Sequence, residues 1–267
     1  MKRIIAAIVC VLMVFSLVGC GGNAGDGGGG QSSQSGQGER VYELTNLSED
    51  AKQLGGEIEG RAVQWMMIDD FEERRDSDLR SRMEELEDSL FQLIETAQTP
   101  EEKRDTISLW IAAIELRLDM LYYYDEEDFK HVQGSLDVLM GKLGSSEEPK
   151  YYSENLEDKF GWQYGNLSEE ARELGEDAAL LVYEIVRESD EGGLVAGLPD
   201  YVVEELDATE DALWELDDAE GDESDAGSLA ICLGNLVMTL EEYQYDMEFR
   251  EKIDEDLQRL VYHTGLA

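Results

Sequence analysis

The chain repeats itself. Shifted by 120 positions, Asn46-Leu47-Ser48-Glu49-Asp50-Ala51-Lys52-Gln53-Leu54-Gly55 lies on Asn166-Leu167-Ser168-Glu169-Glu170-Ala171-Arg172-Glu173-Leu174-Gly175, and seven of the ten positions are identical. The same shift pairs Glu84-Glu85-Leu86 with Glu204-Glu205-Leu206, Ser108-Leu109 with Ser228-Leu229, Leu116 with Leu236, Tyr123 with Tyr243 and Phe129 with Phe249. One inserted residue then moves the shift to 121, pairing Val132 with Ile253, Leu136 with Leu257 and Gly144 with Gly265. Whatever one half folds into, the other must fold into as well. A period this long points to two homologous domains in tandem, not to solenoid repeats of about 20–50 residues.

Within each half the apolar spacing is helical. Ala51, Leu54, Ile58, Ala62 and Trp65 recur at steps of three and four, and Ala171, Leu174, Ala178, Leu181 and Ile185 repeat them. Ser48 and Ser168, each followed by acidic residues, are helix-start signals, because a hydroxyl and negative charge suit the unpaired N–H groups there. A second helix is expected along Leu79, Met83, Leu86, Leu90 and Leu93. A third opens at Thr99-Pro100-Glu101-Glu102 with N-cap, first-turn proline and capping-box glutamate. The fourth follows Phe129, Val132, Leu136, Leu139 and Leu143. No useful period-two strand pattern interrupts them. Four amphipathic helices per half predict an all-α chain of two tandem, homologous, antiparallel four-helix bundles, over residues 41–144 and 166–267. The connector at 145–165 contains Pro149 but also Tyr151, Tyr152, Phe160, Trp162 and Tyr164, so it is expected to pack on a bundle and join the two into one rod.

The beginning of the chain is of another kind. Lys2 and Arg3 precede an uncharged, mostly aliphatic run from Ile4 to Val18, too short for a spanning helix and shaped like a secretory signal. It ends in Leu17-Val18-Gly19-Cys20, which resembles the lipobox of bacterial lipoproteins. That resemblance implies removal of residues 1–19, a diacylglyceryl group on Cys20, and a bacterial cell membrane location on the extracytoplasmic face. Two acyl chains meet the requirement for stable anchoring. From 20 to 40 a tether follows; nine of the eighteen residues from Gly21 to Gly38 are glycine, giving a flexible coil of about 20–25 Å. Cys10 leaves with the signal, so Cys232 is the one thiol in the body and is expected to be a small buried hydrophobe.

Charge narrows the partners. With 63 acidic against 21 basic residues, net charge −42, the chain would be repelled by nucleic-acid phosphate and by anionic lipid headgroups. The acidity is uneven: residues 39–144 hold 27 acids and 12 bases, residues 166–267 hold 30 acids and 5 bases.

Catalytic constellations are not recognisable. The Glu-x-x-His pairs of a di-metal bundle fail, since Asp128 and Leu260 stand three before His131 and His263. Both histidines read as surface or helix-end residues. Nucleophile-elbow, phosphate-loop, dinucleotide and zinc spacings are missing too. Asp217, Asp218, Asp222 and Asp225 form the best acidic loop for Ca²⁺, although the spacing is not that of an EF-hand. Tyr122, Tyr123 and Tyr124, echoed by Tyr243 and Tyr245, span more than one helix face and are candidate interaction residues. The expectation is a non-catalytic, lipid-anchored helical interaction or scaffold protein that presents an acidic surface to a protein or cationic partner. It needs no cofactor beyond the covalent lipid. The alternative is a divalent-cation-binding acidic module.

Overall fold

A computed structural model describes residues 43–75, 77–121, 128–145, 156–188, 199–221, 223–243 and 250–266. The signal, Cys20 and the tether lie outside them. Among the described residues all regular structure is α-helical: α1 Glu49–Met66, α2 Phe71–Arg75, α3 Leu79–Thr96, α4 Pro100–Leu121, α5 Asp128–Leu143, α6 Leu156–Phe160, α7 Glu169–Glu188, α8 Asp200–Glu220, α9 Ala226–Tyr243 and α10 Arg250–Thr264.

Local chemistry explains the boundaries. Ser48 Oγ accepts the Ala51 N–H at 3.2 Å, and Ser168 Oγ accepts the Ala171 N–H at the same 3.2 Å, so α1 and α7 start on identical caps. At the start of α4, Thr99 Oγ1 accepts from Glu102 N–H at 3.1 Å. The Glu102 carboxylate reaches back to Gln98 N–H at 2.8 Å, one residue beyond the usual capping-box partner. α5 and α10 both end on a left-handed glycine, Gly144 with φ 66° and Gly265 with φ 84°. Each is locked by the same pair of bonds: Ser145 N–H to Met140 O and Gly144 N–H to Gly141 O, then Leu266 N–H to Val261 O and Gly265 N–H to Tyr262 O.

Each half closes a ring of helices. α1, α3, α4 and α5 pack in that order with α5 returning to α1, and α7, α8, α9 and α10 do the same. Neighbours run antiparallel: Leu44 at the entry to α1 bonds Lys142 near the end of α5, and Arg172 early in α7 bonds Thr264 at the end of α10. Close approach of the last helix requires glycine on the first. A Cβ on Gly55 would stand 2.7 Å from Leu143 Cδ2, and one on Gly175 would stand 2.5 Å from Thr264 Cγ2. Between the third and fourth helices a hydroxyl–carboxylate pair recurs with its members exchanged. Ser135 donates to Asp119 in one half, and Thr239 donates to Asp256 at 3.1 Å in the other.

The connector packs on the second half. Leu156 and Phe160 of α6 form a small cluster with Tyr262. Tyr164 stacks on His263 with ring centroids 3.9 Å apart. Trp162, by contrast, is exposed, and Tyr151 and Tyr152 lie outside the described residues.

The two halves do not sit end to end as a rod with separate cores. One continuous apolar core runs through both, from Ile58, Trp65 and Leu90 to Leu206, Leu236 and Leu257. They meet side by side where α4 packs on α7.

Candidate functional site

The seam between α4 and α7 carries polar side chains, some of them buried, that bridge the two halves. At its opening, Lys103 Nζ contacts Asp177 Oδ1 at 3.0 Å, while Arg104 contacts Glu176 and, at 3.1 Å, Glu169. Burial pushes the Glu176 carboxyl up, and Arg104 works against that rise. Further along, Trp110 bridges the halves, 5.2 Å from the Phe91 ring and edge-on to Tyr183 at 6.5 Å. Tyr183 OH donates to Glu115 Oε1 at 2.7 Å, and Arg187 reaches Asp88. Two bases of the first half, Lys103 and Arg104, thus supply cations to α7, and Arg187 of α7 returns one to Asp88. Part of the acidity of the second half already has its cationic partner within the chain.

At the centre, Ser108 Oγ donates to Leu266 O at 2.6 Å, and Lys142 Nζ donates to Ser108 Oγ at 2.7 Å and to Leu266 O at 3.2 Å. Serine and lysine at this distance have the reach of a nucleophile and its base. Here the protons run the other way. A carbonyl oxygen only accepts, so the single hydroxyl proton of Ser108 points at Leu266 and Lys142 must be the donor to Ser108. Both side chains are buried beneath the C-terminal backbone. Burial lowers Lys142 to about 8 and raises Glu115 to about 7. Beside them is a cavity of about 30 Å³ walled by Ile111, Glu115, Lys142, Leu156, Val261 and Leu266. It has room for about a water or two, far below the several hundred Å³ of a small-molecule pocket.

The sequence-derived candidates are dispersed. Tyr122, Tyr123, Tyr124 and Tyr245 lie outside the described residues, and Tyr243 is placed only as the last residue of α9. Asp217 Oδ1 accepts the Gly227 N–H at 3.0 Å, and Asp225 Oδ2 accepts the Asn166 N–H at 2.9 Å. Asp105 does the same for Asn46 at 2.7 Å, so this role of Asp225 has its equivalent in the first half. Asp218 lies on α8 and Asp222 is outside the described residues; among those described, no three potential ligands come together for a metal. His131 is exposed as expected. His263 lies in the last turn of α10 but is buried, which lowers its pKa to about 4. Cys232 is buried, its thiol pushed up by the same cause.

Sequence reasoning passed over Ser108, Glu115 and Lys142. The available signal was the apolar run of α4, hydrophobic nearly all round from Thr106 to Leu118, which marks a helix buried on every side. α9 carries the same pattern, but its outward stripe is open: Ile231 is 47% exposed and Met238 57%. Trp214 and Tyr201 of the neighbouring α8 are exposed as well. Among the described residues no helix is long and apolar enough to cross a membrane. Set against known protein families, characterised proteins and solved structures, the chain has no match.

Proposed function

We propose that this is a non-catalytic, lipid-anchored interaction or scaffold protein of the extracytoplasmic face of a bacterial membrane, arisen by duplication of one four-helix bundle. Cys20 of the lipobox carries the anchor, the glycine-rich tether lets the body reorient, and the acidic helical body engages a partner. The observation that carries this reading is the open stripe of α9. Ile231 and Met238 stand two turns apart on one face of an otherwise buried helix, and isolated surface apolar residues are ordinary whereas an aligned set beside exposed aromatics marks a contact site. Glu210, whose carboxylate crosses Gly234 in the same stripe, and Glu241 give that face an acidic border suited to a cationic rim on the partner.

Two experiments test it. Cys20→Ala should move the protein from washed membranes to the soluble fraction; retention would remove the anchor from the account. Chemical crosslinking in intact cells should give a discrete adduct that is lost in Ile231→Asp/Met238→Lys and kept in the fold-neutral control His131→Gln. An adduct indifferent to the α9 changes but lost in Tyr123→Ala/Tyr243→Ala would move the site to the helix ends.

A further inference from the structure

α4 and α9 are equivalent helices in unequal surroundings. The outward stripe of α4 is Ile111, Glu115 and Leu118. α7 and the C-terminal turn cover it, leaving Ile111 and Leu118 3% and 7% exposed, and Tyr183 of α7 donates to Glu115 at 2.7 Å. Moved forward by 120, the stripe becomes Ile231, Asn235 and Met238. Its two apolar members are open, while Asn235 between them is 8% exposed, and its Nδ2 donor meets no acceptor among the described residues. A buried donor without an acceptor is costly, so a partner that supplies one is favoured. The α9 stripe thus repeats the spacing of a surface that takes a helix, a polar group between two apolar ones, and no helix among the described residues fills it.

Charge sets the two surfaces further apart. α3 and α4 carry ten acids and five bases; their counterparts α8 and α9 carry ten acids and two acids, with no Lys or Arg on either. The acids reach the open stripe. Glu210 lies over Gly234 and Asp217 over Gly227, and Trp214 Nε1 donates to Glu210 at 3.2 Å. Asp207 and Asp211, within a turn of Glu210 on α8, are exposed, as is Glu241 one turn beyond Met238. In the seam the covering helix brings its own cation, Arg187, to Asp88. On the α8–α9 surface every cation must likewise come from whatever covers it.

We infer that the α8–α9 surface docks a basic amphipathic helix of another protein, with apolar side chains seven residues apart on Ile231 and Met238 beside Trp214, and with Lys and Arg over the acids of α8. This names the chemistry of the partner in the interaction reading and rests on that reading. Ile231 and Met238 are separated by about 10.5 Å of helix rise, the span of anchors at i and i+7 on a helix laid in a groove. A polar side chain between those anchors serves Asn235 as Tyr183 serves Glu115. A second copy of this chain, at net charge −42, brings the wrong sign, as do nucleic-acid phosphate and anionic headgroups. The contact weakens in salt, because its charged part is an exposed rim.

The test uses the full-length chain in washed membranes, with a photo-activated phenylalanine derivative in place of Trp214. The probe is a biotin-labelled peptide of about 18 residues, with Leu at helical spacing of three and four and Lys elsewhere. Expected is a saturable adduct that falls as salt is raised, and about ten-fold less of it from a peptide with the same residues in scrambled order or from one with Glu for every Lys. Asp207→Lys/Asp211→Lys, at exposed positions, should lower the yield about ten-fold while the purified protein keeps its melting temperature, whereas the same change of charge in the first half, Glu57→Lys/Glu85→Lys, should lower it less than about two-fold. Equal adducts from the ordered and scrambled Lys peptides would mean that acidity alone attracts them and would overturn the proposal. So would an equal loss from the two pairs of charge changes, or no adduct even in low salt. In each of these cases an α9-dependent adduct in intact cells would leave the interaction reading standing, so the two fail separately.

Discussion

α4 and α9 hold the same place in their bundles and share their apolar positions, yet one is enclosed and the other faces solvent. Ile111 and Ile231 are the same residue at equivalent points, and their exposure differs from 3% to 47%. The difference lies in the neighbours. α4 is covered by α7 and the C-terminal turn, and among the described residues nothing encloses Ile231 and Met238 of α9 in that way. A pattern of apolar residues thus states what a helix is able to bury, and the arrangement of halves decides whether it does.

The largest effect should come from placing a charge at each member of that pair. Ile111→Asp sets an unpaired carboxylate in the seam and should cost roughly 4 kcal/mol or more, whereas Ile231→Asp should stay within about 0.5 kcal/mol. Urea unfolding of the two variants reads the contrast directly, and equal losses would mean that α9 is covered after all.

A buried ion pair distinguishes the halves next. Arg117 bonds Glu87 at 2.8 and 3.0 Å, both out of solvent, and the corresponding positions in the second half are Val237 and the exposed Asp207. Arg117→Ala strands Glu87, whose carboxyl burial already pushes up, and should cost about 3–5 kcal/mol. Val237→Ala should cost only about 1–2 kcal/mol, as a modest cavity does. The same unfolding midpoints check both.

The glycines should rank third. A Cβ on Gly55 meets the end of the flexible Leu143, while one on Gly175 meets the methyl of Thr264, a β-branched side chain whose hydroxyl is tied to Leu260 O at 2.9 Å. Both alanine variants should lose stability on the scale of about 1–3 kcal/mol, Gly175→Ala more than Gly55→Ala.

Lys142 and His263 occupy equivalent positions at shift 121, and burial favours the neutral form of each. His263 is held at about 4 against an ordinary 6.5, so the unfolded chain takes up the proton first and stability is lost as pH falls from 6.5 towards 4. Lys142, held at about 8 against 10.5, acts with the same sign between 10.5 and 8. Glu115, raised from 4.5 to about 7, works in the opposite direction as pH rises through that range. The histidine effect is therefore read as a difference between variant and parent. His263→Phe should flatten the acid limb and Lys142→Met the alkaline limb, each by about 1–3 kcal/mol in urea midpoints measured across pH. The smallest effect concerns Ca²⁺: it should leave the melting temperature where an equal ionic strength of NaCl leaves it, and a shift specific to Ca²⁺ and lost in the Asp217, Asp218, Asp222 and Asp225 variants would favour the cation reading instead.

The helices were legible because their signals are local. Ser48, Ser168, Thr99 and Pro100 mark starts, Gly144 and Gly265 mark ends, and the three-and-four spacing marks the faces between. α2 and α6 were not, since five-residue helices span too few turns to show a period. The seam was hidden for a different reason. Ser108, Glu115, Lys142 and Leu266 converge across more than 150 positions of chain, and no window of sequence contains them together. In the acidic loop, Asp217 and Asp225 accept backbone N–H groups, contacts between segments that composition alone does not reveal.

The most direct measurement places a photo-activated crosslinking residue at Ile111 or at Ile231 in the full-length chain in intact cells. The account predicts intermolecular adducts from position 231 and only intramolecular ones, to the second half, from position 111. Intermolecular adducts from both positions in equal yield, or from 111 alone, would contradict it.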